Sequence, residues 1–95
     1  MFVLISYDIE DDKLRAKVAD VLEGHGRRVQ YSVFECNLTH NQYDTLKQGL
    51  LRLVEGVTKT ETYSIRFYRL CKACVERFET LGEGDISRDE AFYIV

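Results

Sequence analysis

The chain contains no proline, and it has neither a low-complexity segment nor an internal repeat. With those missing, nothing marks a linker or a second domain. No apolar run approaches the roughly 18 residues of a membrane-spanning helix, and the opening lacks the basic start and cleavage pattern of a secretory signal. The sequence therefore reads as cytoplasmic, with no membrane association. Cysteine is scarce and odd in number, at three residues, which argues against a disulfide framework and for reduced thiols. Positive charge is in deficit: thirteen Lys and Arg stand against sixteen Asp and Glu, a formal charge of -3. No overall positive field draws such a chain to a polyanion, and any role of that kind falls to a local patch. Ready-made catalytic motifs are missing too. No glycine-rich phosphate loop follows a strand, no serine stands in a G-x-S-x-G context, and a predicted strand separates His25 from His40.

What is present is one domain's worth of core. Ninety-five residues suffice for a single hydrophobic core, near the size at which dimerisation becomes a useful source of stability. The expected domain is 1–95, with 83–95 an arm that packs on a partner subunit. Phe2 to Tyr7 has strand character and leads into Asp8, a residue type depleted within strands. Asp11 and Asp12 open a segment in which Leu14, Val18, Val21 and Leu22 recur at helical spacing, and Gly24 and Gly26 close it, leaving His25 at the helix end. Arg27 to Leu38 has β character but is long for one straight strand, and reads as two segments bent near Gln30 to Ser32. Thr39 with Gln42 is a capping-box pattern ahead of Tyr43, Leu46, Leu50, Leu53 and Val54, a second helix ending near Gly56. Tyr63 to Leu70 alternates as a strand. Val75 to Leu81 is expected to be a further short strand, broken by Gly82 and Gly84. Ala91 to Val95 is an apolar terminal strand, expected to dock on a neighbouring copy's sheet. The order β-α-β-β-α-β, with an additional C-terminal strand, is the α+β ferredoxin-like arrangement, which hosts many unrelated functions.

The residue that points to chemistry is Asp8, a carboxylate delivered to the tip of an apolar strand, an end where ligands commonly bind in sheets backed by helices. Read alone, it fits equally a turn or the cap of the following helix. Arg15, Lys17, Arg27, Arg28, Arg66, Arg69 and Lys72 lie in or beside regular elements, away from the acids at Glu10 to Asp12 and Glu83 to Glu90, a segregation compatible with a basic face. On a helical wheel Arg15 and Lys17 flank the apolar stripe. Cys71 and Cys74 form a C-x-x-C pair, a spacing that serves metal binding or redox chemistry. A structural zinc takes about four ligands and two are clustered here, so the pair is expected as small buried residues at a strand end.

Tyr7-Asp8-Ile9 with Asp11-Asp12, Leu14-Arg15, Lys17-Val18-Ala19 and Leu22, then Gly26 and the run Arg28-Val29-Gln30-Tyr31-Ser32-Val33-Phe34-Glu35, closely resemble the small CRISPR-associated endoribonuclease family, the smaller of the two core proteins of spacer acquisition. The likeness continues through Ser64 to Tyr68, Leu70-Cys71, Cys74 and Leu81-Gly82, and covers essentially the whole chain. Its most specific part is Ser32-Val33-Phe34-Glu35. The resemblance implies a homodimer in which Asp8 approaches its symmetry mate and binds Mg²⁺, or another divalent cation such as Mn²⁺. Mg²⁺ is commonly held by one or two carboxylates with water and substrate phosphate completing the octahedron, so one Asp per subunit suffices. It also implies roles for Arg15 and Lys17 in the first helix, for Arg28 at the opening of the second strand, and for Phe34, with Tyr7 and Ser32 beside them. Lys17 stands where the family often has arginine, which keeps the charge but gives up bidentate phosphate binding. Phe34 is as compatible with a core position as with substrate contact.

The implied function is a metal-dependent endonuclease acting on RNA or double-stranded DNA, in complex with the CRISPR integrase, in prokaryotic antiviral defence. A second reading is a non-catalytic dimeric adaptor that bridges integrase dimers and binds the duplex to be inserted. A third is a toxin-like ribonuclease of the same fold that acts without an integrase.

Overall fold

A computed structural model describes residues 1–56 and 62–82. The element order is β1 (Phe2–Ile9), α1 (Asp12–Glu23), β2 (Arg27–Gln30), β3 (Val33–Asn37), α2 (His40–Glu55), β4 (Tyr63–Leu70) and α3 (Lys72–Glu76). The four strands form one antiparallel sheet in the order β2-β3-β1-β4. Strand β3 thus sits between β1 and β2, the split β-α-β of a ferredoxin-like fold. The expected terminal strand and arm, 83–95, lie outside the described residues.

Alternation along β1 builds two unlike faces. Val3, Ile5, Tyr7 and Ile9 are buried against Leu14, Val18 and Leu22 of α1, Tyr43, Leu46 and Leu50 of α2, and Phe34 and Cys36 of β3. Leu4, Ser6 and Asp8 point to the opposite face, where they meet Tyr68, Arg66 and Ser64 across β4. Among the described residues that second face carries no helix layer except at one end, where Val75 of α3 is fully buried against Phe2 with Leu70 beside it.

Local chemistry sets the element boundaries. Asp11 caps α1, its carboxylate accepting from the Leu14 backbone N–H at 2.7 Å. The helix stops at Gly24, and the N–H of Gly26 donates to Leu22 O at 2.9 Å. His25 is a helix-end residue as expected, its Nδ1 at 2.9 Å from Val21 O. The bend is also where the sequence placed it. Register shifts between Arg28 and Gln30, a bulge that turns the strand before Tyr31 and Ser32 carry it into β3. Thr39 and Gln42 form a complete capping box on α2.

The expected strand at Val75 to Leu81 is not one. Residues 72–76 form the short helix α3, and 78–82 have no regular structure. Lys72, Ala73 and Glu76 are good helix formers, and one helical turn folds Val75 back onto Phe2. Leu81, which a strand would have needed to bury, is fully exposed. Cys71 and Cys74 are both exposed, against the expectation of burial, because they flank the solvent side of that turn.

Candidate functional site

Asp8 occupies the last turn of pleat in β1, paired with Ser64 of β4. Capping belongs to Asp11, which removes the bland explanation of Asp8 as the helix cap. The side chain is exposed, and among the described residues its carboxylate has no hydrogen-bond or ion-pair partner. Its backbone position is firm nonetheless, because the neighbouring Tyr7 N–H donates to Ser32 O at 3.1 Å on the other flank.

The other candidates gather at the same end of the sheet but on its helix-covered side. Tyr7 is buried, packs on Phe34 with ring centroids 6.3 Å apart, and donates from its hydroxyl to Tyr31 O at 3.3 Å. Phe34 is completely buried, so its part is structural: it belongs to the core and carries Arg28 on its face, with the guanidinium carbon 5.1 Å from the ring centroid. Arg28 also lies 6.0 Å from the Tyr31 centroid and pairs with Glu23 at 3.6 Å. That ion pair is exposed, and such pairs are readily exchanged for another anion. Arg15 closes the β1–α1 corner. Its Nη1 donates to Ile9 O at 2.8 Å and its Nη2 pairs with Asp12, which, foremost among its neighbours, raises its already high pKa. Ser32 is half-buried in the turn, and Lys17 is exposed on α1.

Tyr7, Asp12, Arg15, Ala16, Ala19, Arg28 and Tyr31 line one cleft of about 190 Å³. A larger groove of about 460 Å³ runs between α2 and β4, but among the described residues its walls, apart from Lys47 and Gln48, are apolar or tyrosine side chains, with no carboxylate. The chemistry points to the smaller cleft. Its unforeseen member is Tyr31, 73 % exposed. The bend at Gln30 to Ser32 was the available signal, since an aromatic on a turn has no sheet neighbour to cover it. The structure therefore splits the expected constellation in two: a bare carboxylate on the open face, and a basic aromatic cleft behind it.

The family model described as "CRISPR associated protein Cas2" matches residues 1–78. The chain belongs to the Cas2 family. It is 49 % identical over 84 residues to CRISPR-associated endoribonuclease Cas2 1 of Chloroflexus aurantiacus, covering 88 % of this chain and 87 % of that one. A second Cas2 of the same organism, Cas2 3, is 40 % identical over 95 residues, 100 % of this chain and 98 % of the other. Among solved structures, Cas2 of Streptococcus pyogenes superposes with a TM-score of 0.70 at 38 % identity, covering 86 % of this chain and all of that one. A chain of a partial Cas6-RT-Cas1–Cas2 complex superposes with a TM-score of 0.75 at 33 % identity, over 84 % of this chain and 89 % of that chain. The Cas2 likeness covers the strand tip and the cleft alike.

As for a metal, the described residues contain no cluster of three or more His, Cys, Asp or Glu side chains suited to an ion. A hard divalent cation does not need one. Asp8 offers an exposed, uncommitted oxygen donor pair, which fits Mg²⁺ as one carboxylate ligand among waters and phosphate oxygens.

Proposed function

We propose that this chain is a CRISPR spacer-acquisition protein with metal-dependent endonuclease activity on RNA or double-stranded DNA. In this reading it works as a homodimer and in complex with an integrase of the Cas1 type. The observation that carries the nuclease reading is the exposed Asp8 carboxylate, without a partner among the described residues and held at the tip of β1, at the same end of the sheet as the cleft that Arg15, Arg28 and Tyr31 line on its other side.

In this reading the open faces of two copies meet and bring their Asp8 residues together, so that the pair holds Mg²⁺. Bound there, the ion would supply an activated water and neutralise charge on the scissile phosphodiester. The chain's own residues do the rest. Arg28, released from its exposed pair with Glu23, binds a backbone phosphate, and its seat on Phe34 fixes the direction of the guanidinium. Arg15 lines the cleft and donates to Ile9 O, Glu10 O and Asp12; with five guanidinium N–H groups in all, it keeps donors for a second phosphate. Tyr31 presents a ring on which an unpaired base can stack. Lys17 adds unspecific positive charge from α1.

Cleavage of labelled single-stranded RNA and of duplex DNA in Mg²⁺ tests the assignment, with Asp8→Asn run beside the native protein. Loss of a metal-holding carboxylate removes several kcal/mol of transition-state stabilisation, so the variant's rate should fall at least about a hundredfold. An undiminished rate would remove Asp8 from the reaction. The separation of carboxylate and basic cleft onto opposite sides of the sheet favours the adaptor as second reading. It prevails if the native protein cuts neither polymer yet binds duplex with an affinity that falls steeply as salt rises.

A further inference from the structure

Cys71 and Cys74 take no part in the proposed reaction and lie at the other end of the open face from Asp8. Cys71 occupies the cap position of α3 and Cys74 its third residue, a spacing that sets both side chains on one side of a single turn. Both are exposed, and Cys71 Sγ lies 3.3 Å from Cys74 Sγ. A disulfide joins sulfurs at about 2.05 Å, so closure asks them to approach by roughly 1.3 Å. The turn that carries them is anchored, with Val75 fully buried on Phe2 and its N–H bonded to Cys71 O at 3.1 Å. The two thiols are therefore held as neighbours on a fixed support, open to solvent.

We propose that Cys71 and Cys74 form a redox-active dithiol that exchanges with small-molecule disulfides and closes to an intrachain disulfide. In the first step the Cys71 thiolate attacks one sulfur of the disulfide, forming a mixed disulfide and expelling one thiolate. In the second, Cys74 loses its proton and attacks Cys71 Sγ, forming the intrachain bond and expelling the other thiolate. Two electrons and two protons leave the protein, and the reagent is reduced to two thiols. The order of attack follows from the surroundings. The backbone N–H and thiol of Cys74 lower the pKa of Cys71, whereas Cys71 raises that of Cys74, leaving one thiol as nucleophile and the other to resolve. Cys36 serves as the internal contrast: burial first, then Glu35, pushes its thiol up to about 11, and it is nearly inaccessible.

The experiment is incubation of the full chain with glutathione disulfide, followed by acid quench, intact mass and non-reducing electrophoresis. The native protein should lose two hydrogens in mass and carry no adduct. Cys74→Ser should stop with one glutathione attached, and Cys71→Ser should react at least about tenfold more slowly, since its remaining thiol is the less ionised. Stable attachment of glutathione to both residues of the native protein, covalent linkage between chains, or an unchanged mass would each overturn the proposal. The serine variants alter only exposed side chains, so they test chemistry, not folding.

Discussion

Gly26 shows how much one missing side chain can decide. A Cβ at this position would run into the Glu35 carbonyl oxygen and Cys36 Sγ, with Cys36 Cα only 3.0 Å away. The turn after α1 can thus press directly onto β3. Gly26→Ala should cost about 2–3 kcal/mol, since two of the three obstructing atoms are backbone. The denaturant midpoint measures it, and a loss within about 0.5 kcal/mol would mean that β3 yields easily. In the sequence Gly26 reads only as a helix terminator, because close approach to a strand nine residues on leaves no local trace. Asp8 and Asp11 pose the same problem. Either acid can cap a helix, and only the Asp11 to Leu14 spacing favours the one that does. Tyr31 is legible only in retrospect, as an aromatic placed on a bend.

Helices of several turns announce themselves, and single turns do not. Helices α1 and α2 each repeat apolar residues over three turns or more, so their periods and ends follow from the sequence. Helix α3 has five residues and one buried anchor, Val75, too few to separate a helical period from an alternating one. What decides it is tertiary: Phe2, seventy-three positions earlier, offers the surface on which Val75 lands. The capping box of α2 carries its own test. Thr39→Ala removes the acceptor for the Gln42 N–H, a bond of 3.1 Å, and should destabilise the fold by about 1 kcal/mol. Thr39→Ser keeps the hydroxyl and should recover most of that, as thermal unfolding of the two variants would reveal. Equal loss in both would show that the methyl group, not the bond, matters.

At the scale of the molecule, the basic face expected from charge segregation resolves into two groups. Arg27 and Arg66 lie on the open face of the sheet, whereas Arg15 and Arg28 line the cleft on its helix side. Arg27 pairs with the buried Glu35 at 3.8 Å, and the Tyr68 hydroxyl beside Arg66 raises that arginine's pKa. An open face with Leu4 and Val33 half-buried and Tyr68 44 % exposed suits the self-complementary contact of a two-fold dimer. In the homodimer proposed above, Tyr68→Glu would set two like charges near the axis, and it should shift the 11.1 kDa chain from dimer to monomer in light scattering, with its far-UV spectrum unchanged. A variant that stays dimeric would place the contact elsewhere.

Strand β1 is hydrogen-bonded along both edges, to β3 on one side and to β4 on the other. Asp8 inherits that restraint. Fixing one residue's backbone costs about 1–2 kcal/mol of conformational entropy at room temperature, and here folding has already met that cost. For the cation proposed to bind here, only the two rotors of the aspartate side chain would remain to be stilled. A carboxylate borne on a loop would have to order its backbone in the same event. Mounting it on the most constrained strand of the sheet separates the expense of positioning from the act of binding.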